Sequence, residues 1–275
     1  MKIFGISIVK NEADIIELSL TKASAWADQI FVMDNGSDDG TWEKVKALAA
    51  HNSKIVPWKQ TQDFFHDGLR AQVFNEFKHF ASPGDWWCAR LDADEFYIDN
   101  PREFLSTRVK PYYHVVCSKH IQYQFTNQDL EKKTKVFNDE TLNSLRFFDT
   151  KATSEVRFFK HRDRLGWSES QPLPHHVGIV CPERILIRHY QYRSLEQIQR
   201  RIKTRLETRT KYPAIFPHVA SEKPEDYIVD ATRCIHDIGK LSLYNELPLV
   251  NNQNLKYRWW VLLVRRLFHA TGVFP

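Results

Sequence analysis

Apolar positions in the first hundred residues alternate between two spacings. Residues 3–9 (IFGISIV) form a short, nearly continuous apolar run rich in β-branched side chains, the pattern of a strand buried on both faces. From Asn11 to Trp26 the spacing becomes helical, with Ile15 and Leu18 among the apolar positions. Asn11 is the expected N-cap, and Asp14, three residues on, would support the helix start. QIFVMD (29–34) reads as a second strand, NGSDDG as a tight polar turn, and TWEKVKALAAHN as a second helix. KIVPW is a third strand. GLRAQVFNEFKHFA (68–81) is a third helix with Leu69, Val73, Phe77 and Phe80 on one side, and WWCARLD (86–92) is a fourth strand.

Strands and helices in strict alternation predict a parallel sheet with right-handed crossovers. In such sheets ligands bind beyond the carboxyl ends of the strands. Here those ends are Val9–Asn11, Asp34–Asn35 and Asp92–Glu95, so three polar clusters should share one rim. After about Pro101 the pattern loosens. YYHVVCSKHIQYQF (112–125) predicts a long strand or hairpin arm, and residues 127–144 are polar, a helix and loop. EVRFFKH and ERILIRHY are further strands, separated by the loop LGWSESQPLPHHVG (165–178). SLEQIQRRIKTRLETR is a helix capped by Ser194, with Leu195, Ile198, Ile202 and Leu206 as its apolar stripe. No internal repeat, low-complexity tract or linker divides the 275 residues, which read as one continuous domain.

Composition narrows the class only slightly. Hydrophobic residues are 42% and charged residues 27%, ordinary for a soluble globular chain. The aromatic share of 13%, with eight Trp and ten Tyr, suits aromatic packing or surfaces that grip sugars, bases or a membrane interface. A net charge of +5, concentrated in the second half, fits an anionic ligand or surface and does not by itself call for nucleic acid. Cys88, Cys117, Cys181 and Cys234 form no CxxC pair, and Cys88 and Cys117 lie in apolar strands, so buried free thiols and a reducing compartment are expected. The opening MKIFGISIVKNE is not a signal peptide, since acids follow its short apolar stretch at once, and no apolar run of about 18 residues is present to span a bilayer. A cytoplasmic chain is expected.

The chemistry concentrates in LDADEF, where Asp92, Asp94 and Glu95 put three acids into four residues. Carboxylates packed so closely repel one another least around a cation. Asp92-x-Asp94 at a strand end suits Mg²⁺ or Mn²⁺, which takes carboxylate oxygens and keeps other positions for water and phosphate. The competing explanation is a solvated turn with an acidic cap for a following helix. ISIVKNEADII, IFVMDNGSDDGT and LDADEF, in that order and spacing, resemble a family 2 glycosyltransferase with the GT-A fold, and RHYQYRSLEQIQRR resembles that family's small bacterial branch. The resemblance implies an α/β, Rossmann-like, mostly parallel sheet with flanking helices, in a single domain with a C-terminal acceptor-side extension. Residues 1–100 would hold the nucleotide-sugar and 101–275 the acceptor.

The resemblance also implies roles. Val9 and Asn11 would line the nucleobase pocket, and Asp34 would accept a hydrogen bond from the base. Arg70 would lie near base and diphosphate, its alternative being a surface Arg paired with Asp67 or Glu76. Asp92 would face the ribose and metal-bound water, and Asp94 would bind the divalent metal. The donor would be a nucleotide-sugar, with UDP the usual base in the family. The family inverts the anomeric carbon and needs a base for the acceptor hydroxyl. The 165–178 loop offers Glu169 and His175 for that role, with Asp163 in reserve, and His176 as a late metal ligand. Related members carry a His-Glu pair near here where this chain has His-His. Each could equally be an ordinary loop residue.

Two charged segments remain. Arg201, Arg205 and Arg209 at i, i+4 spacing form either a diphosphate-binding face or a solvated one. In LKYRWWVLLVRRLFHATGVF, Lys256, Arg258, Arg265 and Arg266 bracket an apolar core, which fits either an interfacial helix on the inner face of the cytoplasmic membrane or a helix docked on the domain. A membrane contact would make a lipid-linked acceptor or surface glycan natural. The alternatives to a transferase are a non-catalytic binding or assembly protein that keeps the fold, and a nucleotidyltransferase. The latter is disfavoured because SIVKNEADII lacks a Gly-rich loop.

Overall fold

The computed structural model describes residues 1–275 except 64, 133, 212–220, 251–254 and 275. The expected alternation is present: β1 (Ile3–Val9), α1 (Ile16–Ser24), β2 (Gln29–Asp34), α2 (Thr41–His51), β3 (Ile55–Gln60), α3 (Gly68–Phe77) and β4 (Trp86–Cys88). Then come β5 (Glu95–Tyr97), a short helix α4 (Pro101–Glu103), β6 (Val115–Gln122), α5 (Asp139–Asn143), β7 (Phe147–Phe148), β8 (Val156–Lys160) and β9 (Val180–His189). The chain finishes with α6 (Leu195–Lys211), β10 (Ile235–His236), α7 (Leu241–Glu246) and α8 (Trp259–Ala270).

Eight strands join in one sheet in the order β3-β2-β1-β4-β8-β6-β9-β5, and β10 pairs with β7 separately. The β3-β2-β1-β4 half is parallel. β8 runs antiparallel to β4 and β6, β9 is parallel to β6, and β5 is antiparallel to β9. The sheet is thus mostly parallel, with flanking helices in a single domain, which is the architecture the resemblance implies.

The continuous apolar runs follow from burial on both faces. Ile3 and Val9 of β1 and Ile30 and Val32 of β2 join one core with α1 and α2, while Phe4, Ile6, Phe31 and Met33 join the other with Leu69, Val73 and Phe74 of α3. Period-two alternation therefore sorts apolar side chains to two cores rather than to core and solvent. Pro57 is tolerated because β3 is the sheet's outer strand.

Four local expectations change. The first helix starts at Ile16, not near Asn11. Asn11 takes the left-handed region at φ 57°, and Asp14 is drawn to Arg193, with both guanidinium contacts at 2.8 Å. The fourth strand stops at Cys88, beyond which the Arg90 carbonyl accepts from the side chain of Arg157 rather than from a strand backbone. Glu95–Tyr97 adds an edge strand on β9, an element that the sequence pattern does not announce. The third helix ends at Phe77 in a 3₁₀ turn that leaves Phe80 exposed.

Candidate active site

Register brings the strand ends together. Val9 pairs with Asp34 across β1 and β2, and the Asn35 N–H donates to the Val9 carbonyl at 2.8 Å. Beyond this rim lies a cavity of about 670 Å³, walled by Asn11, Glu12, Arg70, Asp92 and Asp94 from the first half. His120, Glu155, His189, Arg201 and Arg205 line it from the second half. Its size is that of a small-ligand pocket.

Asp34 is fully buried behind the wall. Its Oδ1 accepts from the N–H groups of Gly36 (3.0 Å) and Ser37 (2.9 Å) and from Gln60 Nε2 (3.0 Å). Its Oδ2 is buried with no hydrogen-bond partner among the described residues. Asn11 holds the neighbouring turn: its N–H donates to Ser37 Oγ (2.9 Å), and its Oδ1 accepts from the Asp38 N–H (3.0 Å). The left-handed backbone at Asn11 turns this side chain across the rim, a conformation Asn tolerates better than most residues. Arg70 joins both acids that compete for it, Asp67 at 2.8 Å and Asp92 at 3.2 Å, and packs its guanidinium over Phe65.

Asp94 is buried, with Oδ2 3.5 Å from His189 Nε2 and 3.2 Å from an Arg201 nitrogen. Burial alone would raise its carboxyl, but His189 and Arg201 outweigh that and hold it well below the usual carboxylate range. Burial would depress the His189 imidazole, and the Asp94 carboxylate reverses this, leaving it raised. Oxygen and imidazole donors side by side on a cavity wall, with Asp92 two residues away, make a donor set suited to a divalent cation.

A second buried cluster forms the cavity floor. Ligand atoms of Glu95, His120 and Glu155 lie within 4.8 Å of one another. Arg157, fully buried, already supplies a fixed cation there, donating to Glu95 (3.0 Å), to His120 Nε2 (2.6 Å) and to Glu155. His120 must accept that bond and is neutral, its pKa held well below the ordinary value by burial and Arg157. Burial pushes Glu95 up to about 8 even against Arg157. Among the described residues this set is an internal salt-bridge network around Arg157.

The other second-half candidates stand outside the cavity. Glu169 is exposed, accepts from Gln72 Nε2 at 2.8 Å, and rests its backbone carbonyl over Gly68, where a Cβ would come within 2.1 Å. His175 bonds its N–H to the Gly166 carbonyl, and His176 stacks on Phe274 with its own carbonyl accepting from Arg162. The histidine beside the acid pair is His189, thirteen residues after His176, placed by the register Glu95↔His189. Its signal was available: it ends the apolar strand ILIRH, as Asp34 ends QIFVMD. Of the basic row on α6, Arg201 and Arg205 face the cavity.

The sequence model for glycosyl transferase family 2 matches residues 6–168. No curated protein matches the chain. Among solved structures, the mannosyltransferase PcManGT from Pyrobaculum calidifontis, in complex with GDP-Man and Mn²⁺, is similar at a TM-score of 0.38 and 14% identity, over 100% of this chain and 76% of that one. The family match spans more than half of the sequence, including all three strand ends that build the first wall of the cavity, and on it the chain belongs to glycosyl transferase family 2 and is a glycosyltransferase.

Proposed function

We propose that this glycosyltransferase is metal-dependent and inverting, and moves a sugar from a nucleoside diphosphate donor, UDP-linked as is usual in the family, to a glycan or lipid-linked hydroxyl. The observation that carries this reading is the Asp94–His189–Arg201 cluster on the wall of a 670 Å³ cavity at the strand ends. Residues 1–100 would hold the donor. Asp34, with an orphaned buried oxygen, is the acceptor for a base N–H, and Val9 and Asn11 shape the rim beside it. Asp92 lies at the ribose side, tethered by Arg70. Asp94 and His189 would hold the divalent cation, which when bound offsets charge on the diphosphate. Arg201 and Arg205 add fixed positive charge on the same side.

The second half would supply the base. Glu155 replaces Glu169 and His175 in this role, because it lines the cavity and they do not. Its carboxylate is about one-third exposed and is oriented by Arg157 and by Arg90 at 3.1 Å. In the step, an acceptor hydroxyl gives its proton to Glu155 while its oxygen bonds to the anomeric carbon. The bond from that carbon to the phosphate oxygen breaks, and its electron pair leaves with the diphosphate, towards Arg201 and Arg205.

The test is a thermal-shift panel of nucleotides and nucleotide-sugars with and without Mn²⁺, read beside release of nucleotide from the donor. One nucleotide should raise the melting temperature only with metal, and Asp94→Asn should remove both that metal-dependent shift and turnover. A shift indifferent to metal, or retained turnover in Asp94→Asn, overturns the reading. Glu155→Gln should keep the shift and lose transfer.

A further inference from the structure

The C-terminal helix α8 is docked on one side and bare on the other. Its inner side meets the start of the second-half strands: the His269 ring packs on His114 (4.4 Å between centroids), and Arg266 lies over Tyr112 (4.3 Å). Two flanking contacts fix its ends, the Val180 N–H donating to Tyr257 Oη (3.3 Å) and Arg164 to the Gly272 carbonyl (2.7 Å). None of its residues is buried. Trp259, Leu263 and Leu267 form one exposed row and Trp260, Val264 and Phe268 the next, with Trp259 78% and Leu267 54% exposed. At 100° per residue these two rows fill about half of the helix circumference. So large a contiguous apolar face on a folded chain marks a contact surface.

We infer that this face lies in the headgroup layer of an anionic lipid bilayer. The charge around it selects that occupant. Lys256, Arg258, Arg265 and Arg266 bracket the apolar rows, and from Leu247 to Pro275 the sequence contains no Asp or Glu. A second copy brought face to face would set these cations against their own kind with no acid on either helix to offset them. An anionic lipid surface meets the same cations with opposite charge and takes up the Trp and Leu side chains, with the two tryptophans at headgroup level. The helix is too short to do more: none among the described residues is long and apolar enough to cross a membrane. No residue of α8 lines the cavity. β6 leads from Val115, beside the helix, to Gln122 on the cavity wall, roughly 20–25 Å of strand.

The experiment uses the full chain in sedimentation with vesicles of phosphatidylcholine alone and of phosphatidylcholine with phosphatidylglycerol. Binding should require phosphatidylglycerol and fall steeply as salt is raised towards about 1 M, where charges are screened within about 3 Å. The triple variant Trp259→Ser, Leu263→Ser, Leu267→Ser should weaken vesicle binding by at least about tenfold. Because the three side chains are exposed and remote from the cavity, its melting temperature and nucleotide-dependent shift should match the parent. Equal sedimentation with both vesicle types, or a folded variant that binds like the parent, overturns the inference. So does a lipid-free dimer that the variant converts to monomer, since the face then belongs to a second copy. Should the variant misfold, the phosphatidylglycerol and salt dependence of the unmodified chain decides. Failure here leaves the cavity reading standing, and failure of the nucleotide test leaves this one standing.

Discussion

Arg193 shows how one residue holds the first half of the chain to the second. It is fully buried, donates to both oxygens of Asp14 at 2.8 Å and to Glu12, and reaches the Tyr190 carbonyl at 3.3 Å. Asp14 looks locally like support for a helix start, the cheaper explanation when the partner is 179 residues away. Burial raises the neighbouring Glu12 carboxyl to about 7, with Asp94 adding to the rise and Arg193 opposing it. Removing the guanidinium would strand Asp14 and Glu12 in a dry site, where an uncompensated charge costs more than the pair ever gains. Arg193→Met should therefore lose about 3–5 kcal/mol of unfolding free energy in urea titration. A loss under about 1 kcal/mol would mean that the pair is solvated and does not hold the two halves together.

At the scale of elements, α6 decides how far the site was legible. Its cap and stripe were readable: Ser194 Oγ accepts from the Gln197 N–H at 3.2 Å, and Ile198 and Ile202 are buried. Its use was not, because a row of arginines on a polar face has the same spacing whether it meets solvent or a cavity. Only packing against Asp94 and Glu12 separates the two. The early strands were legible because burial on both faces leaves an apolar run no other element needs. β5, three residues long and paired with β9 at the sheet's edge, leaves no such trace. Likewise Asp34, Asp92 and Asp94 follow strands that read clearly, while His120, Glu155 and Arg157 arrive through mixed pairing that no local pattern encodes. The 165–178 loop shows a related limit: its acid and histidines are chemically apt, but it packs along α3 from Gly68 to Asn75, and Glu169, His175 and His176 do not line the cavity. Arg205 provides the test of α6. It bonds Tyr192 Oη at 3.0 Å on the cavity wall, so Arg205→Gln keeps a polar group there and removes the charge. Nucleoside diphosphate binding by calorimetry should weaken about tenfold, the worth of one charge-assisted contact, with little change for the free nucleoside. Equal weakening of both would mean that the residue only shapes the wall.

The whole molecule is closed at the far end of the sheet by contacts that acid should undo. His114, at the start of β6, is almost completely buried, and its Nδ1 accepts from the Ile179 N–H at 3.2 Å. Around it stand Arg162 and Lys160 from the neighbouring strand and loop, and His269 from α8, so every titratable neighbour that acts on it is a cation or becomes one. Burial first, then Arg162 and His269, push its pKa from the ordinary 6.5 down to about 3. The folded chain therefore keeps His114 neutral in a range where the unfolded chain binds a proton. Its contribution is complete above pH 6.5 and is lost progressively as the pH falls towards 3. Between pH 7 and 5 that one group should withdraw about 2 kcal/mol of unfolding free energy. His114→Asn separates this from all other acid effects, because an amide oxygen can still accept the Ile179 N–H but cannot take the proton. Urea unfolding at both pH values should show the variant losing about 2 kcal/mol less than the parent over the same interval. Identical pH slopes would place the acid sensitivity elsewhere, in His120 or His161, both also held below their ordinary values by burial. The tail, the second-half strands and the loop carrying His176 would then respond to acid separately rather than through one shared imidazole.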